Sequence, residues 1–253
     1  MILTDHEVER YARQVVMPEI GEAGQKKLLQ AKVLILGAGG LGTPVIAGLA
    51  GAGVGHLTLM DDDVVELTNL NRQITHTMDR LGTNKAESAA VFAHELNPDI
   101  SLQIEPQRFK SENAGDLVKA HDLVVDCTDN AETRYLVNEL CHTHGVPLVF
   151  AGAVRTDGQI TCFVPQLADS PCLRCIFPQT ELDYDQAPSC STAGVLGSTT
   201  LVMGALQTAE VIKLLTGTGT PLIGRLVLYE GLSAQFTEIE VAADPDCPVC
   251  GKS

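Results

Sequence analysis

The chain has 253 residues, 45% of them hydrophobic and 19% charged, which suffices for one large domain or two small ones with an ample core. Such a composition is ordinary for a soluble α/β protein. The formal net charge of −15 argues against an extended nucleic-acid-binding surface, which would need many lysines and arginines, but it permits a small basic pocket.

Two features predict a cytoplasmic protein without a membrane span. Residues 1–7 contain neither the positive region nor the apolar region of a signal peptide. Polar and charged side chains interrupt the longest apolar stretch, residues 193–215, which favours a buried helix over a membrane span. In the cytoplasm, the eight cysteines are expected to be thiols or metal ligands rather than disulfides.

The first predicted elements lead to a glycine-rich loop. Residues 5–30 have the pattern of amphipathic helices, and on spacing alone Arg13 is one cation of a solvated face. The apolar residues 32–36 then predict a strand that enters Gly37-x-Gly39-x-x-Gly42, followed by small residues typical of a helix. In a βαβ unit such a loop lets the backbone approach a phosphate, which N–H groups at the helix N-terminus bind.

The end of the next predicted strand indicates a contact with the ribose of a nucleotide. Residues 56–60 end at Asp61, where an acidic side chain is suitably placed to accept hydrogen bonds from a ribose. An irregular polar segment follows up to residue 84, and segments of this kind between a strand and a helix commonly carry function. Its polar side chains include Asn69, Asn71, Arg72 and Gln73.

Helices and strands alternate up to residue 151, which predicts a parallel sheet wound from βαβ units. The predicted helices are 85–96, 112–120 and 132–144, and the predicted strands are 101–105, 121–127 and 147–151. Later strands at 159–164, 225–229 and 234–241 surround the long apolar helix and complete the sheet in a mixed, antiparallel manner. We therefore expect a Rossmann-like α/β fold with a mostly parallel sheet and helices on both faces.

The same pattern predicts one domain over residues 1–253. Its parts are N-terminal helices (1–30), a nucleotide-binding half (31–150) and a second half (151–253). Ligands of parallel sheets bind at the carboxyl ends of the strands. The glycine loop, Asp61 and Asp129-Asn130 all follow predicted strands, so we expect them to meet in one crevice.

Two CxxC pairs predict a metal site. Four thiolates at this spacing suit a closed tetrahedral zinc site, whereas a single pair could also be a redox dithiol. Because no coordination position would stay open, the zinc is expected to be structural. The four cysteines are Cys172, Cys175, Cys247 and Cys250.

Cys190 lies immediately before the long apolar helix. A helix N-terminus can activate a thiol as a nucleophile, although a lone cysteine is more often a small buried hydrophobe. Both interpretations stay open from the sequence.

The cations distinguish between two kinds of nucleotide. A dinucleotide needs the glycine loop and the ribose acid but no strong cationic clamp. Cleavage of a triphosphate needs cations at the leaving pyrophosphate and a carboxylate for Mg²⁺. Arg13, Arg72 and Lys85 could supply the cations, and Asp129 the carboxylate. The sequence has no GxxxxGK[ST] loop and is therefore not a Walker-type ATPase.

Together these motifs resemble the HesA/MoeB/ThiF family of ubiquitin-activating-enzyme-like adenylyltransferases. The matching segments are Arg10-Tyr11-Ala12-Arg13-Gln14, Gly37-Ala-Gly-Gly-Leu-Gly42, Asp61-Asp-Asp63-Val64, Asn69-Leu70-Asn71-Arg72-Gln73, Lys85, Cys127-Thr128-Asp129-Asn130 and both CxxC pairs. The resemblance covers nearly the whole chain.

The resemblance implies a homodimer that binds MgATP and the Gly-Gly tail of a ubiquitin-like sulfur carrier of MoaD or ThiS type. The enzyme would convert the carrier's C-terminal carboxylate into an acyl-adenylate and release pyrophosphate, for molybdopterin or thiamine biosynthesis. Residues 151–253 would then form the carrier-binding half. No sulfurtransferase domain is expected within the chain, so the sulfur donor would be a separate protein.

The resemblance also implies roles for individual residues. Arg13 would reach into the partner subunit's site, which reverses its interpretation as a solvated cation. Cys190 would serve a covalent carrier or persulfide step, and Asp129 would hold Mg²⁺. The implied ATP-binding set has the ribose acceptor Asp61, phosphate contacts at Gly40, Asn69, Arg72, Gln73 and Lys85, and further members Gly37, Gly39, Gly42, Asp63, Asp129 and Asn130.

The adenylation reaction that the resemblance implies is compatible with these side chains. A carboxylate is already ionised at neutral pH, so its attack on a phosphate needs no general base. Three alternatives stay open: an NAD-dependent oxidoreductase, a family member that activates a carboxylate on tRNA, and a catalytically silent module that only binds a carrier. The acidic composition weighs against the second.

Overall fold

Eight strands form one sheet in the computed structural model, which describes residues 2–168, 170–178 and 193–251. They are β1 (Lys32–Leu36), β2 (His56–Met60), β3 (Ser101–Glu105), β4 (Leu123–Asp126), β5 (Leu148–Val154), β6 (Asp157–Phe163), β7 (Arg225–Glu230) and β8 (Gln235–Glu240). Their order in the sheet is β3-β2-β1-β4-β5-β6-β7-β8. The first five in this order run parallel and the later pairs are antiparallel, as the sequence predicts.

Helices lie between and beside these strands. They are α1 (Asp5–Arg10), α2 (Ala12–Val15), α3 (Gly21–Gln30), α4 (Gly42–Ala52), α5 (Lys85–Leu96), α6 (Ser111–Lys119), α7 (Ala131–His144), α8 (Leu173–Ile176) and α9 (Gly197–Thr216), with short 3-10 turns at Leu67–Asn69 and Met78–Arg80. The predicted helical region 5–30 is thus three helices. Pro18, which lacks a backbone N–H, lies between the second and the third.

The side chains of the central strands alternate between two cores. Val33 and Ile35 of β1 lie in one core, with α4, α5 and α9. Leu34 and Leu36 of the same strand lie in the other core, with α6 and α7. This alternation follows from the two-residue period of a strand. It confirms the predicted Rossmann-like α/β fold with helices on both faces.

The long helix α9 packs in the first of these cores. Met203 and Val211 are fully buried there, and the helix contacts β5, β6 and α4. No helix in the described part of the chain combines the length and the apolar character that crossing a lipid bilayer requires.

We expect Phe150→Ala to destabilise the protein more than any truncation of an exposed aromatic side chain. Phe150 is 1% exposed, with ring centroids 6.4 Å from Phe163 and 6.0 Å from Phe177. Its removal should lower the free energy of unfolding by about 3–5 kcal/mol, measured by urea denaturation. The control is Phe236→Ala on β8, where the side chain is 54% exposed and the loss should stay below about 1 kcal/mol. Equal losses would contradict this account of the core.

Candidate active site

A cavity of about 510 Å³ opens at the carboxyl ends of the parallel strands. It brings together eleven predicted site residues from the glycine loop, the end of β2, the following polar segment and the end of β4. They are Gly37, Gly39, Gly40, Asp61, Asp63, Asn69, Arg72, Gln73, Lys85, Asp129 and Asn130. The predicted crevice is therefore present.

Within the described part of the chain, the other predicted site residues do not line this cavity. Arg13 is exposed on α2, and its side chain has no hydrogen bond or ion pair with the described residues. The four CxxC cysteines form a separate cluster. Gly42 is buried at the start of α4, and Cys190 lies outside the described residues.

The glycine loop takes a path that only glycine permits at two positions. Gly37 has a φ of +92°, and a Cβ built on it would lie 2.9 Å from the carbonyl oxygen of Cys127. At Gly42, a Cβ would lie 1.9 Å from the carbonyl oxygen of Gly37. The first glycine therefore makes the turn against β4, and the third closes the loop on itself. Neither contact leaves room for a side chain.

The backbone amides of this loop are partly free. The N–H of Ala38 donates to Asp61 Oδ2 at 2.7 Å. The N–H groups of Gly39 and Gly40 find no acceptor among the described residues. Free N–H groups before an eleven-residue helix form an anion-binding arrangement, since the helix dipole adds a partial positive charge there.

Asp61 connects the end of β2 to this loop. Its Oδ2 accepts from Ala38 and its Oδ1 accepts from the N–H of Asp63 at 2.9 Å. Burial raises the pKa of Asp61 above its ordinary value, although these hydrogen bonds and nearby Lys85 oppose the shift. Each oxygen retains lone pairs that a hydroxyl of a ligand can use.

Lys85 is fixed at the cavity by the start of α5. The N-cap residue Asn84 accepts hydrogen bonds from Ala86 N and Glu87 N, so the helix begins at Lys85. The Lys85 Nζ lies 2.7 Å from Asp63 Oδ2, and the residue is only 8% exposed. A cation is thus held at the cavity by a single carboxylate.

The segment between β2 and α5 supplies further polar groups. Arg72 is half-buried, and its Nη1 donates to Thr68 O at 3.0 Å and to Asn71 Oδ1 at 3.1 Å, both neutral acceptors. Gln73 is 3% exposed, and its buried Oε1 has no hydrogen-bond partner. Asn69 Oδ1 accepts from the N–H of Glu66. Arg72 therefore presents a positive charge that its protein partners do not neutralise.

The end of β4 is held by a buried ion pair that the sequence analysis missed. Asp126 Oδ1 accepts from both the N–H and the hydroxyl of Thr128, at 2.9 and 2.7 Å. Arg134 donates to the carbonyl oxygens of Thr128 and Ala151, and its Nε lies 3.7 Å from Asp126 Oδ2. Burial raises the pKa of Asp126, and Arg134 is the main group that opposes this shift. Thr128 is fixed on both sides, directly before Asp129.

The helix that follows explains why Arg134 reaches back to the strand end. Asn130, predicted as a ligand-binding residue, also caps α7, because its Oδ1 accepts from Thr133 N at 2.9 Å. Helical side chains lean toward the N-terminus, so a long side chain in the first turns covers the preceding loop. The position of Arg134 in the first turns after Asp129-Asn130 was a usable signal in the sequence.

A buried histidine was also missed. His76 is 5% exposed, and its Nε2 lies 2.9 Å from the carbonyl oxygen of Ala38 in the glycine loop. Its Nδ1 lies 2.9 Å from Ser88 Oγ. Burial lowers the pKa of His76 below its ordinary value of 6.5, the bond to Ala38 opposes the shift, and Lys85 and Arg80 add to it.

The four CxxC cysteines lie together, away from the cavity. Cys172 and Cys247 have their sulfurs 3.6 Å apart, Cys175 and Cys250 have theirs 3.2 Å apart, and all four sulfurs lie within 4.8 Å of one another. The N–H of Asp244 approaches Cys175 Sγ at 3.3 Å. Sulfurs about 3.8 Å apart form the edges of a tetrahedron around zinc with bonds of about 2.3 Å, so the cluster fits a closed metal site.

Comparison with known proteins identifies the family. The chain matches the ThiF family over residues 11–249. The chain belongs to the ThiF family. Within it, the chain is 44% identical over 246 residues to the SAMP-activating enzyme E1 of Haloferax volcanii. The aligned residues cover 97% of this chain and 90% of that protein. It is 43% identical over 251 residues to the sulfur carrier protein adenylyltransferase of Thermus thermophilus, covering 98% of this chain and 92% of the relative.

A solved structure agrees with this ThiF-family assignment. The crystal structure of E. coli MccB with ATP superposes with a TM-score of 0.79 at 27% identity, covering 91% of this chain and 70% of MccB. The family resemblance drawn from the motifs is therefore confirmed.

The lowered pKa of His76 predicts a pH dependence of stability. In the unfolded chain His76 binds a proton near pH 6.5, whereas burial opposes protonation of His76 in the folded protein. The contribution of His76 to the free energy of unfolding is therefore complete above pH 6.5 and is lost as the pH falls. We expect the free energy of unfolding to decrease more steeply from about pH 7 to about pH 5 in the unmodified chain than in His76→Gln. Parallel curves for the two proteins would show that His76 carries no such contribution.

Proposed function

We propose that this ThiF-family chain is an ATP-dependent adenylyltransferase that activates the C-terminal Gly-Gly carboxylate of a ubiquitin-like sulfur carrier. The observation that carries the proposal is one cavity that joins the free amides of the glycine loop with carboxylates that include Asp61 and Asp129 and cations that include Arg72 and Lys85. The names of the two relatives, a SAMP-activating enzyme and a sulfur carrier protein adenylyltransferase, support the same reaction.

In the proposed binding mode, the ribose of ATP lies at Asp61 and the triphosphate at the glycine loop. The ribose would donate hydroxyl hydrogen bonds to Asp61, and the triphosphate would lie against Gly39 and Gly40 and extend toward Arg72 and Lys85. Asn69 and Gln73 would add phosphate contacts, with Gly37, Gly42, Asp63 and Asn130 shaping the loops around the nucleotide. An NAD-dependent oxidoreductase would leave the cations and Asp129 without a use.

The reaction is an in-line displacement. The carrier's carboxylate attacks the α-phosphorus of ATP, an acyl-phosphate bond forms, and pyrophosphate leaves. The attacking group is already ionised, so the site supplies positioning and positive charge rather than a base. Arg72 and Lys85 would stabilise the charge that develops on the leaving pyrophosphate. Asp129 would hold Mg²⁺, which neutralises phosphate charge when it is bound.

Arg13 supports a homodimer within this proposal. Its helix α2 is anchored to the body by Gln14, whose Nε2 donates to Ala52 O at 3.0 Å and to Gln25, whereas the Arg13 side chain is exposed. A fixed helix that presents a cation outward suits a role in the cavity of a second copy. We propose that Arg13 completes the partner subunit's pyrophosphate site.

Further parts of the proposal rest on the sequence. Residues 1–253 would act as one unit, with the carrier bound by residues 151–253, and Cys190 would serve a covalent carrier or persulfide step after adenylation. The location would be cytoplasmic, and the pathway would be molybdopterin or thiamine biosynthesis. Neither a membrane nor a nucleic acid is a proposed partner.

Removal of the Asp129 carboxylate should stop the reaction without unfolding the protein. In an ATP–pyrophosphate exchange assay with a MoaD-type or ThiS-type carrier, Asp129→Ala should lower the exchange rate at least about 100-fold, because Mg²⁺ placement is lost. Asp116→Ala, which changes an exposed carboxylate on α6, should exchange at the normal rate.

The same assay decides between the proposed function and its rivals. Normal exchange by Asp129→Ala would refute the assignment of this carboxylate. No exchange by the unmodified chain with either carrier would refute the proposed reaction, and exchange that depends on tRNA would replace the carrier with a nucleic acid.

We also propose that the cysteine cluster holds a structural zinc ion. The purified protein should contain about one zinc per chain by atomic absorption, and Cys247→Ser/Cys250→Ser should lose the metal and melt at a lower temperature, because two of four ligands are gone. Cys141→Ala, a buried cysteine outside the cluster, should keep the zinc. A double variant with full zinc content would count against this site.

A further inference from the structure

Ala38 of the glycine loop is held from both sides. Its N–H donates to Asp61 Oδ2, and its carbonyl oxygen lies 2.9 Å from His76 Nε2. Because a carbonyl oxygen only accepts hydrogen bonds, His76 Nε2 must carry the proton, and Nδ1 of the neutral ring must accept from Ser88 Oγ. Ser88 is fully buried on α5, so the ring is fixed at both nitrogens.

The bond to His76 also fixes the direction of the next amide. The peptide between Ala38 and Gly39 is trans, so its C=O and its N–H point in opposite directions. With the carbonyl turned to the buried imidazole, the N–H of Gly39 is directed to the other side. Gly39 lines the cavity, and its N–H has no acceptor among the described residues.

Without this bond the amide would be free to turn over. A flip of this peptide changes ψ of Ala38 and φ of Gly39, and glycine accepts the resulting positive φ at little cost. The glycine that lets the backbone approach a phosphate therefore also weakens control over where its N–H points. A buried donor on the opposite side of the peptide restores that control.

We propose that His76 is a positioning residue that aims the Gly39 N–H at a phosphate of the bound nucleotide. This inference rests on the proposed function, since it concerns how the same cavity holds ATP. His76 does not line the cavity and acts only through the peptide. Its effect is specific to ligands that carry phosphates.

Two ligands test this specificity: ATP, and adenosine, which lacks the phosphates. Their dissociation constants are measured by calorimetry on the full chain with Mg²⁺ present. His76→Leu should weaken ATP binding about tenfold, the effect of one charge-assisted hydrogen bond, and leave adenosine binding within about twofold of normal. His76→Gln, whose amide N–H can replace Nε2–H, should restore most of the ATP affinity.

Ser88→Ala provides an independent variant. It removes the group that fixes the tautomer of His76, so it should weaken ATP binding in the same direction but less than His76→Leu, again without affecting adenosine. If His76→Leu does not fold, as judged by its thermal unfolding curve, the contrast between Ser88→Ala and His76→Gln carries the test.

Each outcome separates this inference from the proposed function. Equal weakening of ATP and adenosine, or unchanged ATP binding in both His76→Leu and Ser88→Ala, would overturn the inference while leaving adenylation by the unmodified chain intact. Failure of the unmodified chain to bind ATP would overturn the proposed function, and the inference with it.

Discussion

The close contact between the glycine loop and the end of β4 is the constraint on which the rest of the site depends. Gly37 turns so near the Cys127 carbonyl that a Cβ would be 2.9 Å from its oxygen, and Gly42 closes back onto Gly37. This path starts α4 close to the sheet and places Gly39 and Gly40 at the cavity, where their N–H groups have no acceptor among the described residues. Any side chain at Gly37 or Gly42 would push the phosphate-binding backbone away from the segment that carries Asp129.

Side chains hold two loops of the cavity by their backbone. Asp61 and His76 bind the amide and the carbonyl of Ala38, and Asp126 and Arg134 do the same for Thr128. A cavity that stabilises charge in a transition state must have its dipoles oriented before the substrate arrives. Buried polar groups are costly unless they are hydrogen-bonded, so these bonds also explain why the groups lie inside the protein.

The strands and helices, and some of the residues that form the cavity, could be predicted from the sequence. The strands, the glycine loop and Asp61 follow from local patterns of hydrophobicity and spacing, which a single chain displays directly. His76 could not be identified in this way, because its partner is the backbone carbonyl of Ala38, which only the tertiary fold brings near. Likewise, Asn130 was predicted from its place after a strand, whereas its bond to Thr133 N depends on the geometry of the helix start.

The cations of the cavity differ in how far carboxylates of the protein neutralise their charge. Lys85 is neutralised by Asp63, and Arg134 by Asp126, so these cations attract little negative charge while the cavity holds no ligand. Arg72 differs, because the oxygens it binds in the described part of the chain are neutral. A triphosphate would therefore meet Arg72 first and then compete with Asp63 for Lys85. Since Asp63 is largely exposed, its carboxylate can return to water at small cost when a phosphate takes its place.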